Sequence, residues 1–239
     1  MSVAPNHLPS HLVTYSLRNS IATITMDDGK VNVMSLRMLS ELNTALDKAI
    51  TDRAVVVLTG RPGVFSAGFD LPVLRAGGPD ARAMIMAGFK LAERLLSFPT
   101  PVVVACNGHA LAMGVFLVLA ADYRVGAAGE FKLGANEVAI GLTLPHVAIE
   151  ILRQRLTPAY FNRAAITAEI FSPEQAVAAG FLDQVVAVEE LHSTARLVAD
   201  RLAALHMPSH AATKLRVREH NLRAIHNAIE TDSAILAAR

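Results

Sequence analysis

The first apolar runs along the chain are short and β-branched. Residues 12–17 and 21–26 form two of them, parted by Arg18-Asn19-Ser20, and together they predict a hairpin. Asp27-Asp28-Gly29-Lys30 then reads as a turn. Ser35 is placed to cap a helix whose apolar positions are Leu36, Leu39, Leu42, Leu46 and Ile50. A strand over 54–59 follows and ends at Gly60-Arg61-Pro62-Gly63. Residues 71–79 read as a loop. Asp80 is placed to cap a second helix reaching Ser97, with Met84, Ile85, Phe89, Leu91 and Leu95 on its apolar side and Pro99 and Pro101 beyond its end.

The second half changes character. A strand over 101–105 leads into residues 115–121, apolar on every side and therefore a buried helix. Short strands are expected over 122–125 and 131–133, then a loop over 134–145. Helices follow over 146–156, 158–167, 173–179 and 188–205. Gly180 sits where a helix ends, before a strand over 182–186, and Pro208 opens a last helix. Strands dominate the first half and helices the last third, so the fold class is α/β with a helical C-terminal layer.

Two strand ends run into glycine-containing stretches, Val64-Phe65-Ser66-Ala67-Gly68-Phe69-Asp70 and Asn107-Gly108-His109-Ala110-Leu111-Ala112-Met113-Gly114. In α/β folds ligands sit at such strand ends, and two backbone N–H groups converging there would make an oxyanion hole. Spacing alone favours the plainer reading, two tight turns of an ordinary α/β domain.

Composition narrows the function. The chain has 239 residues, 52% of them hydrophobic, enough for one substantial core. Its 22 basic and 21 acidic residues leave a net charge of +1, which gives nucleic acid or an anionic membrane no electrostatic footing. The single Cys106 excludes an internal disulfide and fits a reducing, cytoplasmic setting. The nine histidines form no HExxH motif and no paired CxxC accompanies them, so no metal is expected. The longest apolar run, residues 110–121, is short of the roughly eighteen residues of a spanning helix. Residues 1–10 resemble no signal peptide and read as disordered. A mean hydropathy of +0.37 points to apolar surface covered by sister subunits.

Phe65-Ser66-Ala67-Gly68-Phe69-Asp70, Asn107-Gly108-His109-Ala110, Asp122 and Glu137…Gly141…Pro145 resemble the enoyl-CoA hydratase/isomerase, or crotonase, superfamily. Ser172-Pro173-Glu174-Gln175-Ala176 followed by Gly180-Phe181-Leu182-Asp183 extends the match, which runs from about residue 12 to 214. The resemblance implies a ββα spiral core over residues 1–195, a helical trimerisation region over 196–239, and a homotrimer or a dimer of trimers. It also implies an acyl-CoA thioester as substrate and no separate cofactor, CoA being part of that substrate.

Carried over by position, the resemblance makes the N–H groups of Phe69 and Met113 the oxyanion hole. Met113 stands where the family usually has glycine, so that half of the hole depends on its backbone conformation. Lys30, Val31, Ala67, Phe69 and Leu71 fall at CoA-contacting positions, with Arg61, Arg75 and Lys214 as candidates for the phosphates. Glu137 falls at the catalytic glutamate, and its apolar neighbours favour a raised pKa. A second glutamate of hydratases falls on Phe116, which can neither accept nor donate a proton and is assigned to the acyl pocket. The expected reaction is therefore double-bond isomerisation of an enoyl-CoA with one carboxylate. Hydration and acyl-CoA binding without turnover remain the alternatives. Asp70, Asp122, His109 and His146 are read as structural, and a Cys106–His109 thiol nucleophile lacks a third orienting group.

Overall fold

In the computed structural model, which describes residues 11–238, the chain winds in repeated turns of strand, strand and helix. The hairpin β1 (Val13–Arg18) and β2 (Ile21–Met26) leads to β3 (Val33–Met34) and α1 (Leu36–Thr51). The next turn is β4 (Val55–Thr59), β5 (Gly63–Ser66), β6 (Gly68–Phe69), α2 (Leu71–Ala76) and α3 (Gly78–Leu96). Then come β7 (Val102–Cys106), β8 (Gly108–Leu111) and α4 (Met113–Leu119), followed by β9 (Tyr123–Ala127), β10 (Leu133–Gly134) and α5 (His146–Arg153). After α6 (Pro158–Ile166) and α7 (Pro173–Ala179), β11 (Gln184–Val186) closes the large sheet, and α8 (Leu191–Ala203) and α9 (Met207–Ala237) complete the described chain.

Each turn adds its first strand to one sheet, ordered β1-β2-β4-β7-β9-β11, in which only the β1–β2 pair is antiparallel. The second strands form smaller parallel sheets, β10-β8-β5 and β3-β6. This is the expected spiral. The central strands are buried on both faces, as parallel sheets require. Val56, Leu58, Val102 and Val104 join the main core with α1, α3, α4 and α5. Val55, Val57, Val103 and Ala105 face the other way, onto Leu191, Ala195, Val198 and Ala199 of α8.

Local signals placed most elements. The Ser35 hydroxyl accepts the N–H of Met38, and Ser172 with Gln175 forms a capping box, each cap contributing about 1 kcal/mol. Gly180 ends α7 in the left-handed region, at φ 100°. The loop expected over 71–79 is instead largely α2, started by the Asp70 carboxylate, which accepts the Val73 N–H, and by Pro72 in the first turn. Six residues are too few to show a helical period. The second helix starts earlier than expected, capped at Gly77, so Asp80 lies in its first turn and does not cap it. The single helix expected over 188–205 is a 3₁₀ turn, Val188–Glu190, followed by α8. A division at 195/196 would cut α8 through the face it packs on the sheet; the break in the backbone lies between α8 and α9. The expectation of disorder over 1–10 falls outside the described residues. No helix among those described is long and apolar enough to cross a membrane.

Candidate active site

The two glycine stretches meet through side-chain and backbone bonds. Asn107 Oδ1 accepts the N–H of Gly60 at 2.9 Å, and Asn107 Nδ2 donates to the carbonyl of Arg61. Parallel pairing of β5 with β8 then runs the stretches side by side. At their ends the backbones come closest. A Cβ on Gly68 would lie 2.7 Å from Ala112 Cβ, 3.0 Å from Leu111 O and 3.2 Å from Met113 N, and φ there is +93°. Gly68, next to Phe69, thus lies against the Met113 amide.

Met113 is the first residue of α4, a position whose N–H has no intrahelical partner. The conformational demand expected at Met113 falls one residue earlier. Ala112 adopts φ 48° and ψ −124°, a region that favours glycine and costs about 1–3 kcal/mol for other residues. Side chains converge as well. A Cβ on Gly88 of α3 would lie 2.5 Å from the Phe69 ring and 3.3 Å from Met113 Sδ, so both side chains use the space that glycine leaves. The Phe69 ring stands edge-on to Phe89, 5.9 Å between centroids, and Phe89 packs against Phe116 at 5.8 Å. Phe116 is 1% exposed and belongs to the main core.

Glu137 reaches this place through β10. Strand β10 pairs with β8, the Ala112 N–H donates to Gly134 O at 3.0 Å, and three residues later comes Glu137, opening the 3₁₀ turn Val138–Ile140. The residue is 8% exposed, and Oε2 has no hydrogen-bond partner among the described residues. Burial pushes its pKa up to about 7, and a hydrogen bond from its own backbone offsets this only in part. The following turn is anchored from afar. Asp232 of α9 accepts the N–H of His146 at 3.1 Å and of Val147 at 2.9 Å, capping α5, whose own N-cap residue, Pro145, offers no side-chain bond. The same carboxylate pairs with His146 Nδ1 at 2.8 Å.

Lys30, Val31 and Ala67 form one surface. The Ala67 N–H donates to Val31 O at 3.0 Å, and Arg61 Nη1 donates to Lys30 O at 2.7 Å. Asp28 shapes that turn by accepting the N–H groups of Lys30, Asn32 and Val33. Asn32, at φ 53°, fixes it to Met26, Val64 and Phe65 carbonyls. Val31 and Leu71 are partly exposed, at 44% and 38%. Arg75 is exposed at the end of α2, whereas Lys214 is buried on α9 and bound to Asp122. His109 accepts the Lys132 N–H, and the His146 ring pairs with the Asp232 carboxylate. The Cys106 thiol is buried, with its pKa pushed up to about 12, so it supplies no thiolate.

The match extends through the sequence and the fold. The family model for enoyl-CoA hydratase/isomerase aligns with residues 16–238. The chain belongs to the enoyl-CoA hydratase/isomerase family. A solved enoyl-CoA hydratase/isomerase family protein from Pseudomonas syringae is 49% identical, superposes with a TM-score of 0.92, and the match covers 93% of this chain and 97% of that one. Mouse mitochondrial enoyl-CoA delta isomerase 1 is 31% identical, over 83% of this chain and 71% of its own length. A probable enoyl-CoA hydratase of Mycobacterium avium strain 104 is 30% identical, over 87% and 81%. Within this crotonase frame, two of the sequence motifs have structural roles. Ser172 and Gln175 cap α7, and Asp183 holds the buried Arg124 through a bond at 2.7 Å to Nη2 and one at 3.0 Å to Nε. The residues that sequence reading missed, Gly88, Ala112, Asn32 and Asp232, had weak signals. Gly88 is a glycine inside a helical pattern, which marks a packing reason.

Proposed function

We propose that this crotonase-family enzyme isomerises a 3-enoyl-CoA to the 2-enoyl-CoA, with Glu137 as its one acid/base. The Glu137 carboxylate takes a proton from the α-carbon, and the electron pair spreads over the double bond onto the thioester oxygen. The N–H groups of Phe69 and Met113 hold that oxygen as it gains charge. The protonated Glu137 then returns the proton to the γ-carbon, leaving the double bond one position nearer the thioester. Lys30, Val31, Ala67 and Leu71 hold the CoA portion. The observation that carries the reading is Glu137 itself, a buried carboxyl with an unpartnered oxygen and a pKa of about 7, suited to taking and giving a proton near neutrality. The second carboxylate of hydratases falls, by the resemblance, on Phe116, which is buried in the core and offers no acceptor or proton.

Turnover of 3-enoyl-CoA and of 2-enoyl-CoA, measured side by side, tests this. Isomerisation should exceed hydration. Hydration outrunning isomerisation would overturn it in favour of a hydratase that positions water by another residue. Thermal stabilisation by CoA esters with turnover of neither would leave a binding protein. The same reading assigns the protein to a homotrimer or a dimer of trimers, supported by Leu215 and Val217 of α9, which are 47% and 75% exposed; a monomer mass by light scattering would exclude it.

A further inference from the structure

Gly88 lies in the interior of α3, where glycine weakens a helix relative to alanine. Its φ is outside the left-handed region, so backbone conformation does not call for glycine here. Space does. A Cβ at this position would stand 2.5 Å from Phe69 Cε1 and 2.6 Å from Phe69 Cζ, so close that an atom must move. It would also stand 3.3 Å from Met113 Sδ. The two side chains that share this notch belong to the two residues whose N–H groups are assigned to the thioester oxygen.

Both donors are therefore held from two sides. On the backbone side, Gly68 abuts Ala112 and the Met113 amide. On the side-chain side, Phe69 and Met113 end on one point of α3, an element that carries none of the residues assigned to the chemistry. Their own segments fix them only weakly. Strand β6 has two residues and pairs with the two-residue β3, and Met113 opens α4 directly after the strained Ala112. The Phe69 ring also has little room to evade a new Cβ. Phe89 stands edge-on to it at 5.9 Å and is itself packed on Phe116 at 5.8 Å, and both are 1% exposed. A ring pushed out of the notch strains χ1 or carries its Cα along, and the amide nitrogen is bonded to that Cα.

We propose that Gly88 is a positioning residue for the oxyanion hole. The notch it leaves in α3 sets the side chains of Phe69 and Met113 and thereby aims both N–H groups at one oxygen. This rests on the assignment of those two N–H groups to the thioester oxygen. It holds whichever reaction the resulting enolate enters.

The probe is hexanoyl-CoA, isotope-labelled at the thioester carbonyl and bound to the whole chain. Vibrational difference spectra against the unlabelled ester read the carbonyl stretch, which falls as N–H groups polarise the oxygen. Wild type should show a lowered stretch on binding, and Gly88→Ala should lose most of that lowering. The kcat of Gly88→Ala on an enoyl-CoA should fall by about tenfold to a hundredfold, the scale of an ångström-sized misplacement, with KM nearly constant. Leucine lacks the ring atoms that the new Cβ would strike. In a Phe69→Leu background, Gly88→Ala should therefore cost less than about twofold. Phe89→Leu, which opens the other side of the notch, should also reduce the lowering, and it decides the matter if Gly88→Ala does not fold. A Gly88→Ala enzyme with the wild-type stretch and kcat overturns the inference and leaves the oxyanion hole standing. So does an equal loss with and without Phe69→Leu, which marks a general packing effect, or an unchanged stretch in Phe89→Leu where Gly88→Ala is unfolded. No lowering in wild type overturns the assignment of the two N–H groups, and the inference falls with it.

Discussion

Ala112 donates its N–H to the carbonyl of Gly134 at 3.0 Å, and this bond sets the Glu137 segment beside the start of α4. The proposed base and one proposed oxyanion donor are therefore fixed to the same point of backbone. The β8–β10 pairing, three residues before Glu137, ties their spacing to the sheet.

Glu137→Gln keeps the size of the side chain and removes the base. Isomerisation should fall by about a hundredfold or more, as loss of a general base does, while CoA-ester affinity stays nearly constant. Steady-state rates with a binding titration check this; a variant that retains wild-type turnover would show that the proton moves through another group.

The same residue makes stability pH-dependent. In the unfolded chain Glu137 ionises near the ordinary glutamate value of 4.5, but in the folded protein burial raises this to about 7. Below pH 4.5 both states are protonated and no penalty exists. As pH rises to about 7 the unfolded state gains from ionisation and the folded state does not, so stability falls by about 3 kcal/mol. Wild type and Glu137→Gln should therefore melt at similar temperatures near pH 4.5, and the variant should melt higher at pH 8. Equal differences at both pH values would exclude a buried, neutral-leaning Glu137.

Ala112→Gly should stabilise the protein by about 1 kcal/mol, because glycine adopts φ 48°, ψ −124° without the Cβ penalty. Urea unfolding reads this directly, and a destabilised variant would refute the strain. Gly68→Ala acts in the opposite sense. Its Cβ would strike Ala112 at 2.7 Å and crowd the Met113 amide at 3.2 Å. Turnover should drop more than tenfold even under conditions where circular dichroism shows the variant folded.

Phe116→Glu restores the carboxylate type that hydratases carry, but into a core position 1% exposed and packed on Phe89. The unpaired acid should cost several kcal/mol and yield no gain in hydration. Hydration rising in a stable variant would show that the site tolerates a second carboxylate.

What the sequence made legible was local. Ser35, Ser172 and Gly180 announce helix ends because a cap and the residues it serves lie within one turn. The glycine stretches and Glu137 were found by resemblance, since nothing nearby in sequence reveals that Gly68 abuts Met113. Helix α2 was missed because six residues show no period. Gly88, Asn32 and Asp232 were missed because what they serve lies far along the chain: Phe69 and Met113 for Gly88, the Val64 and Phe65 carbonyls for Asn32, and the α5 N-terminus for Asp232.

Asp232 gives the far end of α9 a hold on the middle of the chain. By capping α5 it braces the segment that carries Glu137, across a sequence separation of 86 residues. Damage to the tail should thus be felt unevenly. A protease cut between α9's midpoint and Asp232 would free the start of α5 while β2, β4, β7 and β9 keep their pairings. Amide exchange should then quicken around residues 137–147 before the large sheet changes. The protein would stay folded by most measures and lose its chemistry first.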